Sequence, residues 1–194
     1  MSKSDPAASK KERNKAIRWI VTVFISTILV SGIISLASEE IMSVSSMAVA
    51  FIILLVIIMI GILFDIIGVA VTSADEKPFH SMAARKVPGA LESIRLLRNA
   101  EKVGSICNDV VGDICGVVSG SASATIAAQV LQNFEFSWPR LASLLMSALV
   151  AGLTVGGKAI GKGLAINSCT KIVHLVGLTI HRLQSIPMIF KKKK

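Results

Sequence analysis

The sequence predicts an all-α polytopic membrane protein with about four transmembrane helices plus amphipathic juxtamembrane helices. Three observations predict it. Of the 194 residues, 53% are hydrophobic and 17% are charged, whereas soluble domains carry about 25% charged residues. The apolar residues gather in long runs of membrane-crossing length. The basic residues fall between and beyond those runs, nearly all on one side.

Residues 1–18 form a polar, basic tail with six Lys or Arg, expected to be disordered in the cytosol. Trp19–Ser38 then runs 20 positions without a charge. That length matches one crossing of a hydrocarbon core about 30 Å thick at about 1.5 Å per residue. A signal peptide is the competing reading, but its apolar stretch spans only about 7–15 residues and "SLASEE" is a weak cleavage site. The segment is read as a retained anchor. With an outer loop at 38–46 it forms an N-terminal unit, 19–46.

Met47–Thr72 is the second span, with Asp65 as its one charge. Residues 74–102 form a polar, basic insert. Ala90, Leu91, Ile94 and Leu97 share a helical face there, beside Arg95, Arg98 and Lys102, as in a helix lying on a membrane surface. Residues 103–132 are apolar but rich in small residues. Gly112, Gly116 and Gly120 recur at the spacing that lets membrane helices approach closely, so this span is expected to face other helices. "NFEFSWPR" (133–140) reads as an interfacial loop and Leu141–Val155 as the last span. In 166–194 an amphipathic helix, with Ile172, Leu175, Val176 and Thr179 on one face, precedes a polybasic end.

Of the 21 basic residues, 20 lie in the tail, the insert or 158–194; Arg140 is the exception. Four spans place those 20 on one side, and the positive-inside rule puts both termini in the cytosol of a multi-pass cell-membrane protein. The net charge of +9 is read as attraction to an anionic bilayer. No aromatic residues interleave with the basic ones, so nucleic acid is not an expected partner. Cys107, Cys115 and Cys169 form no Cys-x-x-Cys pair and read as small buried residues.

Ionisable groups inside a span cost roughly 2.5–3.5 kcal/mol each, so each needs a reason. The third span opens with Asn108, Asp109 and Asp113. Such oxygen ligands suit a hard cation; the alternative is that they are wet at the membrane edge. Asp65 has the same two readings and lies deeper. His80, His174 and His181 read as surface histidines. No nucleophile–base pairing, HExxH or Gly-x-Ser-x-Gly is present, so the chain is not read as an enzyme.

The stretch "VGGKAIGKGLA" (155–165) is one residue short of a phosphate-binding loop, because Gly163 stands where Ser or Thr is needed. No strand–loop–helix context surrounds it, so no nucleotide is expected. Its glycines are expected to break the helix at membrane depth.

The order of "VAVTSAD", a basic insert ending "RLLRNAEKVGS", "CNDVVGDI" and "VGGKAIGKGLA" resembles the transmembrane domain of the CNNM/CorC magnesium-transport family, over about residues 47–190. The core 47–165 is then the matching unit, with 74–102 as its cytosolic insert. The resemblance implies a homodimer with a central Mg²⁺ site. Ala70 and Ser73 match its first motif, Asn108, Asp109 and Asp113 its Asn-rich motif, and Gly157, Lys162 and Ala165 its third. With Asp65 these give Asp65, Ser73, Asn108, Asp109 and Asp113 as candidate metal residues. Gly68 and Lys158 stand where the family has Glu, and Gly161 where it has Pro. Lys158 therefore modifies the site, as a fixed internal cation. The family's nucleotide-binding CBS pair has no counterpart here. The readings are a divalent-cation (Mg²⁺) transporter, a non-transporting membrane scaffold or regulatory partner that keeps the fold, and a small pore-forming or holin-like protein.

Overall fold

The computed structural model describes residues 6–133 and 138–191. Among them every regular element is helical: α1 (Pro6–Val44), α2 (Met47–Ser73), α3 (Lys77–Ala84), α4 (Ala90–Arg98), α5 (Ala100–Ser105), a π-helical segment (Ile106–Gly112), α6 (Asp113–Asn133), α7 (Pro139–Asn167) and α8 (Cys169–Lys191). Four stretches are long and apolar enough to cross a bilayer: Ile17–Met42, Met47–Ser73, Ala100–Asn133 and Pro139–Asn167. The chain is an all-α polytopic membrane protein.

Helix α2 stands at the centre. It packs against α6 and α7 along its length and against the π segment and α8 toward its C-terminal end. Lipid tails are as apolar as Leu, so such helices associate through close packing and polar contacts rather than hydrophobic burial. Glycines supply the close approach. A Cβ on Gly61 would lie 2.9 Å from the Cys115 Cβ, and one on Gly104 would lie 2.7 Å from the Thr72 methyl. The third span has the largest enclosed share of the four, as its small residues predict.

Two apolar clusters flank the middle of α2. One joins Met42, Ala50, Leu54, Ile58, Ala122, Ile126 and Val150. The other joins Ala70, Val71, Phe79, Ile94, Leu97, Ala165 and Val173, and ties the insert to the bundle. Helix α1 lies beside α6; among its described side chains most are open to lipid and only Ser38 and Met42 are buried, and the Gln129 side chain donates to the Met42 carbonyl at 3.0 Å.

The insert docks on α8 through an unusually close contact. Gly89 has φ +83°, a left-handed conformation that favours glycine. A Cβ there would lie 2.5 Å from the Leu178 nitrogen. Ser93 donates to the Val173 carbonyl at 3.2 Å. His174 Nε2 donates to the Pro88 carbonyl at 3.2 Å, and His181 Nδ1 to Glu92 Oε1 at 3.1 Å. Two of the three histidines thus hold the insert rather than sit idle on the surface.

Several sequence expectations are corrected. Residues 6–18 are helical, continuous with α1; their Ala, Lys, Glu and Arg are good helix formers despite their polarity. Helix α1 also absorbs most of the expected loop 38–46, leaving Ser45 and Ser46 as the connection. The last span does not end at Val155 and its glycines do not break it, since α7 runs unbroken to Asn167. Gly161 instead admits the side chain of Ile66, 2.8 Å from where its Cβ would stand, and Gly157 admits Ile62. In α4 the packed face is Ala90, Ser93, Ile94 and Leu97, while Leu91 is exposed. In α8 the packed face turns on Val173 and Gly177, and Leu175 is exposed. Residues 134–137 of the expected interfacial loop and the final three lysines lie outside the described residues.

Candidate functional site

The uncommon backbone in the membrane region is the π segment. π turns are rare and concentrate at functional sites. This one lies against α2 where α2 carries Asp65 and Gly68. Asp65 is 18 residues into α2, about 27 Å along its axis, between the two apolar clusters.

Asp65 is 5% exposed, and its Oδ2 is buried without a hydrogen-bond partner. Asn108 Oδ1 is likewise buried and unpartnered. Gly68 lets the Asn108 amide lie against the α2 backbone; a Cβ there would fall 2.7 Å from Asn108 Cγ. Unpaired buried oxygens are exceptions that call for an explanation, more so at membrane depth.

Lys158 reaches the same place from α7. Its Nζ donates to the Gly112 carbonyl at 3.3 Å. A Cβ on Gly112 would be 3.4 Å from that Nζ and 4.0 Å from Asp65 Oδ1. The Asp65 carboxylate and the Lys158 ammonium thus both come close to Gly112, which places no side chain between them. Three elements converge there: α2 with Asp65, the π segment with Asn108 and Gly112, and α7 with Lys158. What the arrangement offers chemically is a set of oxygen acceptors with one resident cation.

The other sequence candidates lie elsewhere. Asp109 is exposed and accepts from Ser105 Oγ at 2.6 Å; Asp113 and Ser73 are also exposed. Among the described residues, no group of three or more His, Cys, Asp or Glu side chains is placed to hold a metal ion. Of the three glycines expected to pack helices, Gly112 is buried in the polar centre. Gly116 and Gly120 instead line a groove between α6 and α7, and a Cβ at either would meet nothing within 4 Å.

The groove encloses about 360 Å³ and is also lined by Ser119, Ser123, Ser147, Thr154 and Lys158. The sequence reading missed this groove, and it missed Gly61 as an approach point. The available signal was that Gly61 and Gly68 stand seven apart, on one face of α2.

Among the described residues outside the spans, Glu92 has a shifted acidity. Burial pushes its carboxyl up, but the hydrogen bond and charge of His181 and the nearby Arg95 outweigh this and hold it below the ordinary value of 4.5.

Comparison of the chain with family models, with curated proteins and with solved structures gives no match.

Proposed function

We propose that this membrane protein handles a small inorganic cation at the Asp65–Asn108–Gly112 centre, in the manner of the magnesium transporters its motifs resemble. The observation that carries the reading is the pair of buried oxygens, Asp65 Oδ2 and Asn108 Oδ1, left without partners on facing helices inside the bundle. Hard cations take such ligands, and a charge kept inside a span marks a functional site by default. The protein works in the cell membrane, both termini in the cytosol, its insert and α8 turned to the anionic leaflet, and as a homodimer.

Lys158 sets the limit on the ion. Two unit charges about 4 Å apart interact by roughly 4 kcal/mol at an effective dielectric near 20, and a divalent ion doubles this. At about 1.4 kcal/mol per tenfold, that repulsion weakens Mg²⁺ binding by several orders of magnitude. Lys158→Glu is therefore expected to strengthen Mg²⁺ binding at least tenfold, measured by calorimetric titration in one detergent. Asp65→Asn added to it should remove the gain. Wild type binding Mg²⁺ at micromolar levels, with Lys158→Glu no better, would reject this account of the centre.

The same lysine favours a second reading, a scaffold or regulatory partner in which the ammonium replaces the ion for good. Cation flux into proteoliposomes separates the two. Flux that Asp65→Asn abolishes keeps transport; none at all leaves the scaffold.

A further inference from the structure

We propose that the polar centre is a site for an ammonium- or potassium-sized monovalent cation, and that Lys158 is a tethered competitor for it. This rests on the cation-handling reading above and names the ion class. In its alternative seat, Lys158 withdraws into the α6–α7 groove.

The centre already seats an ammonium. Its groups are acceptors: the Asp65 carboxylate, Asn108 Oδ1 and the Gly112 carbonyl that Lys158 Nζ approaches at 3.3 Å. An ammonium has three donors and no acceptor, so it satisfies oxygens of this kind. Charge selects the same class. One buried carboxylate against one monovalent cation leaves no net charge, whereas a divalent ion leaves an excess positive charge in a region that solvates charge poorly. Gly112 matters sterically: a Cβ there would press on the Cys107 carbonyl at 3.3 Å and already touch the ammonium, whose Nζ would be 3.4 Å away, so a longer side chain would crowd it.

The groove supplies the second seat. Ser119, Ser123 and Thr154 commit their hydroxyl protons to the carbonyls of Gly116, Gly120 and Val150, at 2.9, 2.8 and 2.8 Å. Their remaining lone pairs can accept. A hydroxyl whose proton is already given away favours a cation over an anion. Gly116 and Gly120 keep the space open. Because Lys158 lines the groove and reaches the centre, the same side chain has acceptors at both ends of its travel.

The test is thermal unfolding of the purified full chain in choline chloride, NH4Cl, KCl and MgCl2 at matched ionic strength. Wild type should unfold at one temperature in the three monovalent salts. Lys158→Ala should unfold lower in choline and recover in NH4Cl or KCl, with a half-maximal concentration at least tenfold below that of any wild-type response. Asp65→Asn added to it should abolish the recovery. If Lys158→Ala does not fold, Lys158→Gln carries the same expectations.

Recovery in MgCl2 alone overturns the monovalent assignment and leaves the cation centre standing. Equal stabilisation of wild type and variant by NH4⁺ overturns the competition. No response to any cation, together with no Mg²⁺ gain in Lys158→Glu, overturns both.

Discussion

Replacing Gly177 with Ala should loosen the insert from α8. The added Cβ would lie 2.5 Å from the Gly89 carbonyl oxygen and 3.0 Å from the Ser93 nitrogen, and it would also strike Ser93 Oγ. Two of these are backbone atoms, which cannot rotate away, so α4 and α8 must separate. Overpacking of this kind costs about 1–3 kcal/mol. Separation also weakens the Ser93–Val173 hydrogen bond, worth about 1 kcal/mol. The better helix propensity of Ala returns about 1 kcal/mol. The net is about 1–3 kcal/mol. Amides of α4 that exchange by opening of this contact should then exchange roughly 5- to 150-fold faster, at about 1.4 kcal/mol per tenfold. Hydrogen exchange read by mass spectrometry on the purified protein is the assay. Gly163→Ala is the control, since its Cβ would meet nothing within 4 Å. Wild-type exchange rates across α4 in Gly177→Ala would refute the reasoning, because the contact would then not hold the insert.

Other outcomes follow from the same packing. Phe79 is fully buried, so Phe79→Ala should cost about 3–5 kcal/mol, seen as easier proteolysis of the insert. The lowered pKa of Glu92 gives a pH dependence of known sign. Its contribution is complete above the ordinary value of 4.5 and is lost as pH falls through the lower folded value. Exchange in α4, corrected for intrinsic rates, should rise as pH falls below about 4.5; the Glu92→Gln protein should lack that step. In a cysteine-free background, Ser43→Cys should react with an impermeant reagent from outside and Ser81→Cys should not; the reverse pattern would invert the topology.

The spans were legible because an uncharged run of twenty residues has few other uses. Asp65 and Asn108 stood out for a related reason, as polar groups where each carries a cost. Their convergence with Lys158 was not legible. Residues 65, 108 and 158 meet only through the way three helices cross, and no spacing within one segment encodes that. Asp109 drew attention as an oxygen ligand beside Asn108 at the opening of the third span, yet adjacent helical residues face different ways, and it accepts from Ser105 instead. The glycines of α7 were misjudged because glycine weakens an isolated helix. In a bundle the same missing side chain makes room for Ile62 and Ile66, and packing outweighs propensity. The π segment leaves no compositional trace, since it differs from its neighbours in hydrogen-bond register alone.

That register has a consequence for length. A π turn holds one residue more than an α turn, so the segment behaves as an insertion spliced into an otherwise regular rod. Removing Val110 or Val111 would let the rod close up. The wide turn absorbs the extra residue locally, so closing it leaves α6 presenting nearly the same face to α2 and α7, with Cys115 still against Gly61. The chain would lose one apolar residue and no chemical group of the centre, and what would tighten is the turn that carries Asn108 and Gly112. A one-residue deletion there ought to be better tolerated than the same deletion in α2 or α7, where nothing absorbs the roughly 100° that each residue of a regular helix contributes.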